Sequence, residues 1–202
     1  MKRELAEGLE RMGLVLGESQ VENLLAYHEL LATRGMEIGA VAKGDRDRLL
    51  ERHVLDSLRA VPEIGDRDRI GYDFGSGAGL PGIPLSIARP GCGFVLVESR
   101  HWRAAFLELV VAELNLNARV ERARVETMGV LADLAVSRAF APLGKTWGLA
   151  RPLLKPGGRL IFYAGRGLSE DDIRAADPEA SVRLVPDVLD RGGPLVIMSR
   201  SG

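Results

Sequence analysis

The string Asp73-Phe74-Gly75-Ser76-Gly77-Ala78-Gly79-Leu80-Pro81-Gly82 limits what this chain can fold into more than any other stretch of it. It follows the apolar run Ile70 to Phe74 and precedes the helical run Ile83 to Ala88, so it reads as a strand, a glycine-rich turn and a helix start. Glycines allow positive φ and let a ligand approach the backbone closely. The helix start offers unpaired amides and the positive end of a dipole of about half an elementary charge. Such a turn suits a carboxylate or a phosphate.

A literal Gly-X-Gly-X-X-Gly falls on Gly77, Gly79 and Gly82, which raises a dinucleotide-binding loop. Asp73 argues against it. At the strand's end, two residues before Gly75, its charge repels a pyrophosphate but accepts hydrogen bonds from the ammonium of a methionine moiety. The following strand ends in Glu98-Ser99, where a carboxylate holds both hydroxyls of a ribose. Dinucleotide sites share that second acid, so only the pair discriminates, and the pair points to S-adenosylmethionine. The cofactor-binding candidates are Asp73, Gly75, Ser76, Gly77, Gly79, Leu80, Glu98 and Ser99, joined by Val125 and Glu126, which follow the third strand and frame an adenine edge. For Glu126 an exposed loop carboxylate is an equally good reading.

Around this loop the pattern is α/β. Apolar runs at Phe94 to Val97, Arg119 to Ala123, Leu134 to Val136 and Leu160 to Ala164 alternate with helical periods, including Trp102 to Leu114, and predict a mostly parallel sheet. A helix around Leu149 to Leu154 is expected to stop at Lys155-Pro156-Gly157-Gly158, and Val182 to Val185 with Leu195 to Met198 to close the sheet as an antiparallel hairpin. Residues 1–62 read as a helical N-terminal cap. Leu5, Leu9 and Met12 keep helical spacing, Ser19 and Glu22 suggest a capping box, and Arg46 to Ala60 forms a third amphipathic helix that ends at Pro62. Residues 63–202 form one compact Rossmann-like unit, since 202 residues leave room for a single such domain.

Composition narrows the partners. The 27 basic and 28 acidic residues leave a formal net charge of −1, so nucleic-acid contact must come from a local patch. The lone Cys92 rules out an internal disulfide, and the three histidines have no metal-ligand spacing, so no metal is expected. No apolar run approaches the ~18 to 20 residues that span a bilayer, and the start Met1-Lys2-Arg3-Glu4 is charged. A cytoplasmic protein without a membrane role is the expectation.

The chain also resembles the bacterial small-subunit ribosomal RNA guanine-N7 methyltransferases called RsmG or GidB. The resemblance rests on Arg52 to Leu58, the Gly-Leu-Pro-Gly-Ile-Pro ending at Pro84, Glu98-Ser99 with Arg103 and Phe106-Leu107, and Ser137-Arg138-Ala139-Phe140-Ala141. It implies a class I methyltransferase fold, S-adenosylmethionine as cofactor, and 16S ribosomal RNA or the 30S particle as partner. Departures fall on the RNA side. Glu37-Ile38-Gly39 stands where the family has Asn-Leu-Thr, Trp102 where it has lysine, Gly165-Arg166-Gly167 where it has Leu-Lys-Gly, and Gly193, with Arg191 nearby, where it has arginine. A diverged enzyme acting on a small heterocyclic acceptor is therefore an alternative, and a noncatalytic cofactor-binding module a second one.

Guanine N7 carries a lone pair and no proton, so methyl transfer to it needs alignment and no general base. Arg138, at the end of the fourth strand, is the candidate catalytic cation and a cofactor-binding candidate, placed to grip the methionine carboxylate or to present a bidentate fork to guanine O6 and N7, with a salt bridge at the sheet edge as the competing reading. His53, Trp102, Arg103 and Arg166 are the substrate or RNA candidates. His53 is also readable as a core histidine, Trp102 as helix packing and Arg166 as a solvated loop residue.

Overall fold

The computed structural model describes residues 1–187, 189 and 192–199, with the side chain of Lys43 excepted. Arg191 lies outside the described residues. Seven strands form one sheet in the order β3-β2-β1-β4-β5-β7-β6. They are β1 (Ile70–Phe74), β2 (Gly93–Val97), β3 (Ala118–Glu121), β4 (Ala132–Arg138), β5 (Leu154–Tyr163), β6 (Ser181–Val185) and β7 (Leu195–Ser199). The first five are parallel, and β7 runs antiparallel to both β5 and β6, as the expected hairpin requires. The order reverses between β1 and β4, and the crevice beyond their carboxyl ends is where open α/β sheets bind ligands.

Strand alternation sorts the core into two faces. Tyr72, Phe74, Val95, Val97, Leu160 and Phe162 face one side, and pack with Leu143 and Trp147 of a helix at Leu143–Ala150. Phe94, Leu96, Leu134, Val136, Ile161 and Ile197 face the other. That second face shares its core with Leu5, Leu24, Tyr27, Leu31, Leu49 and Leu58 of the N-terminal helices, so the cap is one wall of the sheet's own core. Its elements are α1 (Lys2–Arg11), α2 (Glu18–Leu30) and α3 (Asp56–Leu58), followed by α4 (Gly82–Ala88) and α5 (His101–Glu113) on the same face. The helix at Leu143–Ala150 is α6, and α7 (Glu170–Ala176) packs beside it.

Three local expectations are corrected. The N-cap of α2 is Gly17, whose amide donates to Gln20 Oε1 at 2.8 Å, while Ser19 and Glu22 lie inside the helix. Tertiary bonds decide this, because Gln20 Nε2 also donates to the carbonyls of Ile87 and Ala88 at 2.9 and 3.0 Å. The third cap stretch is not one α-helix. A 3₁₀ segment (Lys43–Arg48) leads into wider π-type turns (Leu49–Leu55) and then α3. The apolar residues repeat at a spacing of five, Leu49 with Val54 and Leu50 with Leu55, and i→i+5 turns bury all four together. Finally, helix α6 ends at Ala150, and β5 begins at Leu154, earlier than its glycines suggest. Lys155 is held by Asp133 Oδ1 at 2.7 Å, and the register shifts opposite Ala132 and Leu134 to absorb Pro156 and Gly157.

Candidate cofactor and acceptor site

The glycine loop lies at the carboxyl end of β1. Asp73 is fully buried beneath it, and its Oδ2 accepts the Gly82 amide at 3.1 Å. Its Oδ1 is buried with no partner among the described residues. Burial pushes the Asp73 carboxyl up to about 7, against the pull of the Ser76 hydroxyl and the Gly82 amide. Ser76 is buried, and its hydroxyl donates to the Asp73 carbonyl at 3.0 Å. Across the loop Glu98, 5% exposed, accepts the Gly77 amide on Oε2 at 3.0 Å and the Arg100 amide on Oε1 at 2.8 Å. Each of those oxygens keeps a second lone pair for a hydroxyl.

Two glycines are obligatory. At Gly79, φ is +96° and a Cβ would lie 2.4 Å from Ile83 Cγ1. At Gly75, φ is +67° and a Cβ would meet the Phe140 ring at 2.5 Å. The loop is also held from the cap. Tyr27, fully buried on α2, donates its hydroxyl to the Ala78 carbonyl at 2.8 Å. The sequence reading passed over Tyr27, although its i+3 and i+4 relation to Leu24 and Leu31 places it on the core face. Tyr27→Phe leaves that carbonyl buried and unpaired, and is expected to lower stability by about 1 to 3 kcal/mol. Thermal unfolding reads it, and an unchanged midpoint would show that the bond holds nothing.

A cavity of about 460 Å³ opens beside the loop, lined by Gly75, Glu98, Ser99, Val125 and Glu126 together with Arg103 and Phe140. It brings together the second-strand acid and the third-strand residues expected around a nucleoside. Asp73, Ser76, Gly77, Gly79 and Leu80 lie outside its lining. The closed apolar pocket of a small-molecule enzyme is not what this cavity offers, since its exposed wall consists of Ser99, Arg100, Arg124, Glu126 and Lys145. Arg103 has a guanidinium nitrogen 4.0 Å from where a Cβ on Gly77 would stand, and its Nε is buried without a hydrogen-bond partner among the described residues.

Arg138, expected as the cation at the reacting centre, is engaged by the cap. Its Nη1 donates to Asp56 Oδ2 at 3.0 Å and to the Arg52 carbonyl at 3.3 Å, and its Nη2 stands 3.3 Å from His53 Nδ1. It does not line the cavity. The salt bridge of the competing reading is present, because the cap carboxylate offers a fixed, largely buried partner within reach. His53 therefore belongs to the junction. Burial, and then the nearby Arg138 charge, hold its pKa below the usual imidazole range, and Nε2 lies 3.2 Å from Asp45 Oδ2. These partners fit a neutral ring that accepts at Nδ1 and donates at Nε2. Arg59, missed in the sequence, completes the junction. It bonds Asp56 Oδ1 at 2.9 Å and the Gly193 carbonyl at 2.8 Å, and pairs with Asp187 at 3.2 Å. No side chain fits at Gly193, where a Cβ would lie 2.5 Å from the Gly165 carbonyl oxygen. Trp102 is 40% exposed, with the Arg103 guanidinium 4.8 Å over its ring. Arg166 is exposed on the loop after β5 and does not line the cavity.

A family model described as GidB, rRNA small subunit methyltransferase G, matches residues 20–188. The chain belongs to this family. The relative named ribosomal RNA small subunit methyltransferase G from Acidiphilium cryptum is 36% identical over 96% of the chain and 91% of its own length. The relative of the same name from Mycobacterium leprae (strain TN) is 42% identical over 72% of the chain, which spans 61% of that protein. Among solved structures, Aeropyrum pernix fibrillarin with natively bound S-adenosyl-L-methionine superposes with a TM-score of 0.53 at 18% identity, covering 65% of this chain and 66% of that one. This last likeness speaks to the fold. The GidB family chain is thus a class I methyltransferase with S-adenosylmethionine as its cofactor. Its residues fit that cofactor, since the orphaned Asp73 Oδ1 is a buried acceptor matched to an ammonium, and the free lone pairs of Glu98 are matched to ribose hydroxyls. Among the described residues no cluster able to hold a metal occurs, and no helix is long and apolar enough to cross a membrane.

Proposed function

We propose that this protein transfers the methyl group of S-adenosylmethionine to N7 of a guanine in 16S ribosomal RNA, acting on the small ribosomal subunit in the cytoplasm. The observation that carries the cofactor side is the buried, unpartnered Asp73 Oδ1 under a glycine loop that faces Glu98. The two relatives, both named ribosomal RNA small subunit methyltransferase G, support an RNA acceptor. When bound, the cofactor supplies an electrophilic methyl to a nitrogen lone pair.

The chain's own groups bind and orient. Asp73 takes the ammonium, Glu98 the ribose, and Ser99, Val125 and Glu126 border the adenine, while Gly75, Gly77, Gly79 and Leu80 shape the loop. Arg138 acts as a positioning residue. Its grip on Asp56 fixes the end of β4, and with it the Ala139-Phe140 turn beside Gly75. The cavity lining contains no Ser/His or Cys/His pair, which suits an acceptor with no proton to remove.

The test is methyl transfer from labelled S-adenosylmethionine to 30S subunits and, in parallel, to a metabolite extract. Label in ribosomal RNA is the expected result. Label confined to the small-molecule fraction, or in neither, would overturn the reading.

A further inference from the structure

The cavity beside the glycine loop carries more positive charge than its own residues neutralise. Its lining contains Arg100, Arg103, Arg124 and Lys145 against Glu98 and Glu126, in a chain whose formal net charge is −1. Glu98 is already engaged by two backbone amides. None of the four cations forms an ion pair among the described residues, and although the same holds for Arg34, Arg48 and Arg67, these four line one cavity.

The cofactor does not explain the excess. S-adenosylmethionine bears an ammonium and a sulfonium against one carboxylate, so it is itself a cation and is repelled by such a rim. Arg103, lying against the Gly77 loop, can meet the single cofactor carboxylate. Arg100, Arg124 and Lys145 are exposed and remain unmatched. A multiply charged anion that reaches the same mouth from outside is the complement of that arrangement, and a nucleic-acid backbone is such an anion.

We propose that Arg100, Arg124 and Lys145 form a phosphate-binding rim that holds the RNA backbone beside the cofactor cleft. The inference rests on the RNA reading above and deepens it. Arg124 sits just before Val125, and Lys145 sits on α6 across the cavity, so the rim brackets the opening through which a target base must enter.

The test is filter binding of 30S subunits between roughly 50 and 200 mM salt, with S-adenosylmethionine affinity measured separately by calorimetry. The triple variant Arg100→Ala, Arg124→Ala, Lys145→Ala is expected to bind 30S subunits at least tenfold more weakly than the parent at the lower salt. Its slope of log affinity against log salt should flatten by about 2, from ~0.7 to 0.9 per lost phosphate contact. Cofactor affinity should hold within a few-fold, and Arg124→Lys should retain most of the parent binding. Equal 30S affinity and equal slope in parent and triple variant would overturn the rim while leaving the RNA reading intact. A parent that binds no 30S subunits at any salt would overturn both. A triple variant that loses cofactor affinity in step with 30S affinity would show that the cations serve the cofactor instead.

Discussion

Asp73→Ala is expected to weaken S-adenosylmethionine binding by about 3 kcal/mol, on the order of a hundredfold, because it removes a buried carboxylate from a charge-assisted contact. Calorimetric titration measures it directly. The same change also frees the Gly82 amide that Asp73 Oδ2 holds, so Asp73→Asn is the sharper comparison. Asparagine keeps an acceptor for Gly82 but no charge for the ammonium. The pH dependence carries a further sign. With the Asp73 carboxyl at about 7, the free protein takes up a proton there as pH falls below neutrality, and the protonated form no longer attracts an ammonium. An α-amino group loses its own charge at about 7.7 to 8. Affinity should therefore peak between those values and fall several-fold by pH ~6. In Asp73→Asn the acid limb should vanish. Unchanged affinity in both variants would remove Asp73 from the site.

Asp56→Ala is expected to be the most damaging change at the cap junction, costing about 3 kcal/mol or more of stability in denaturant unfolding. Asp56 is largely buried and neutralises two arginines, Arg59 at 2.9 Å and Arg138 at 3.0 Å, and Arg59 is itself only 7% exposed. Removing the carboxylate leaves Arg59 with Asp187 and the Gly193 carbonyl, and Arg138 with only the Arg52 carbonyl and the His53 ring. His53 adds a pH term. Its folded pKa lies below the unfolded value of about 6.5, so the stability it contributes is present above that value and lost as pH falls through the folded one. The parent should accordingly lose stability in mild acid, and His53→Gln, which cannot gain the charge, should lose less. A stability change below about 1 kcal/mol for Asp56→Ala would show that the network is solvated rather than structural.

The sheet and its glycine loop were readable in the sequence for a physical reason. Buried parallel strands need continuous apolar runs, and a ligand loop needs glycines where φ is positive, as at Gly75 and Gly79. Both signals are local. The closing hairpin of β6 and β7 was readable on the same ground. What escaped depends on partners distant in the chain. Gln20 starts α2 through carbonyls of Ile87 and Ala88, more than sixty residues away. Arg138 is drawn to Asp56, 82 residues earlier, and its strand-end position alone suggested a ligand contact instead. Tyr27 reaches Ala78 across 51 residues, and Arg59 reaches the Gly193 carbonyl across 134. Spacing along one element carries no record of such bonds. The site divides the same way. Asp73, the glycines and Glu98 stand in sequence order as cofactor candidates, while Arg100, Arg124 and Lys145 come together only where the segments after β2 and β3 meet the start of α6 at one cavity.

In the proposed function this cleft places a cofactor methyl against N7 of an RNA guanine. N7-methylguanine, unlike guanine methylated at other positions, gives a strand break after borohydride reduction and aniline treatment. The decisive measurement is therefore that cleavage, read by primer extension on 16S ribosomal RNA from 30S subunits incubated with the protein and S-adenosylmethionine. A single new break at one guanine, absent when Asp73→Ala replaces the parent protein, is the expected result. Methyl label in the RNA without a new break would place the methyl on another atom, and no label in the RNA would contradict the account outright.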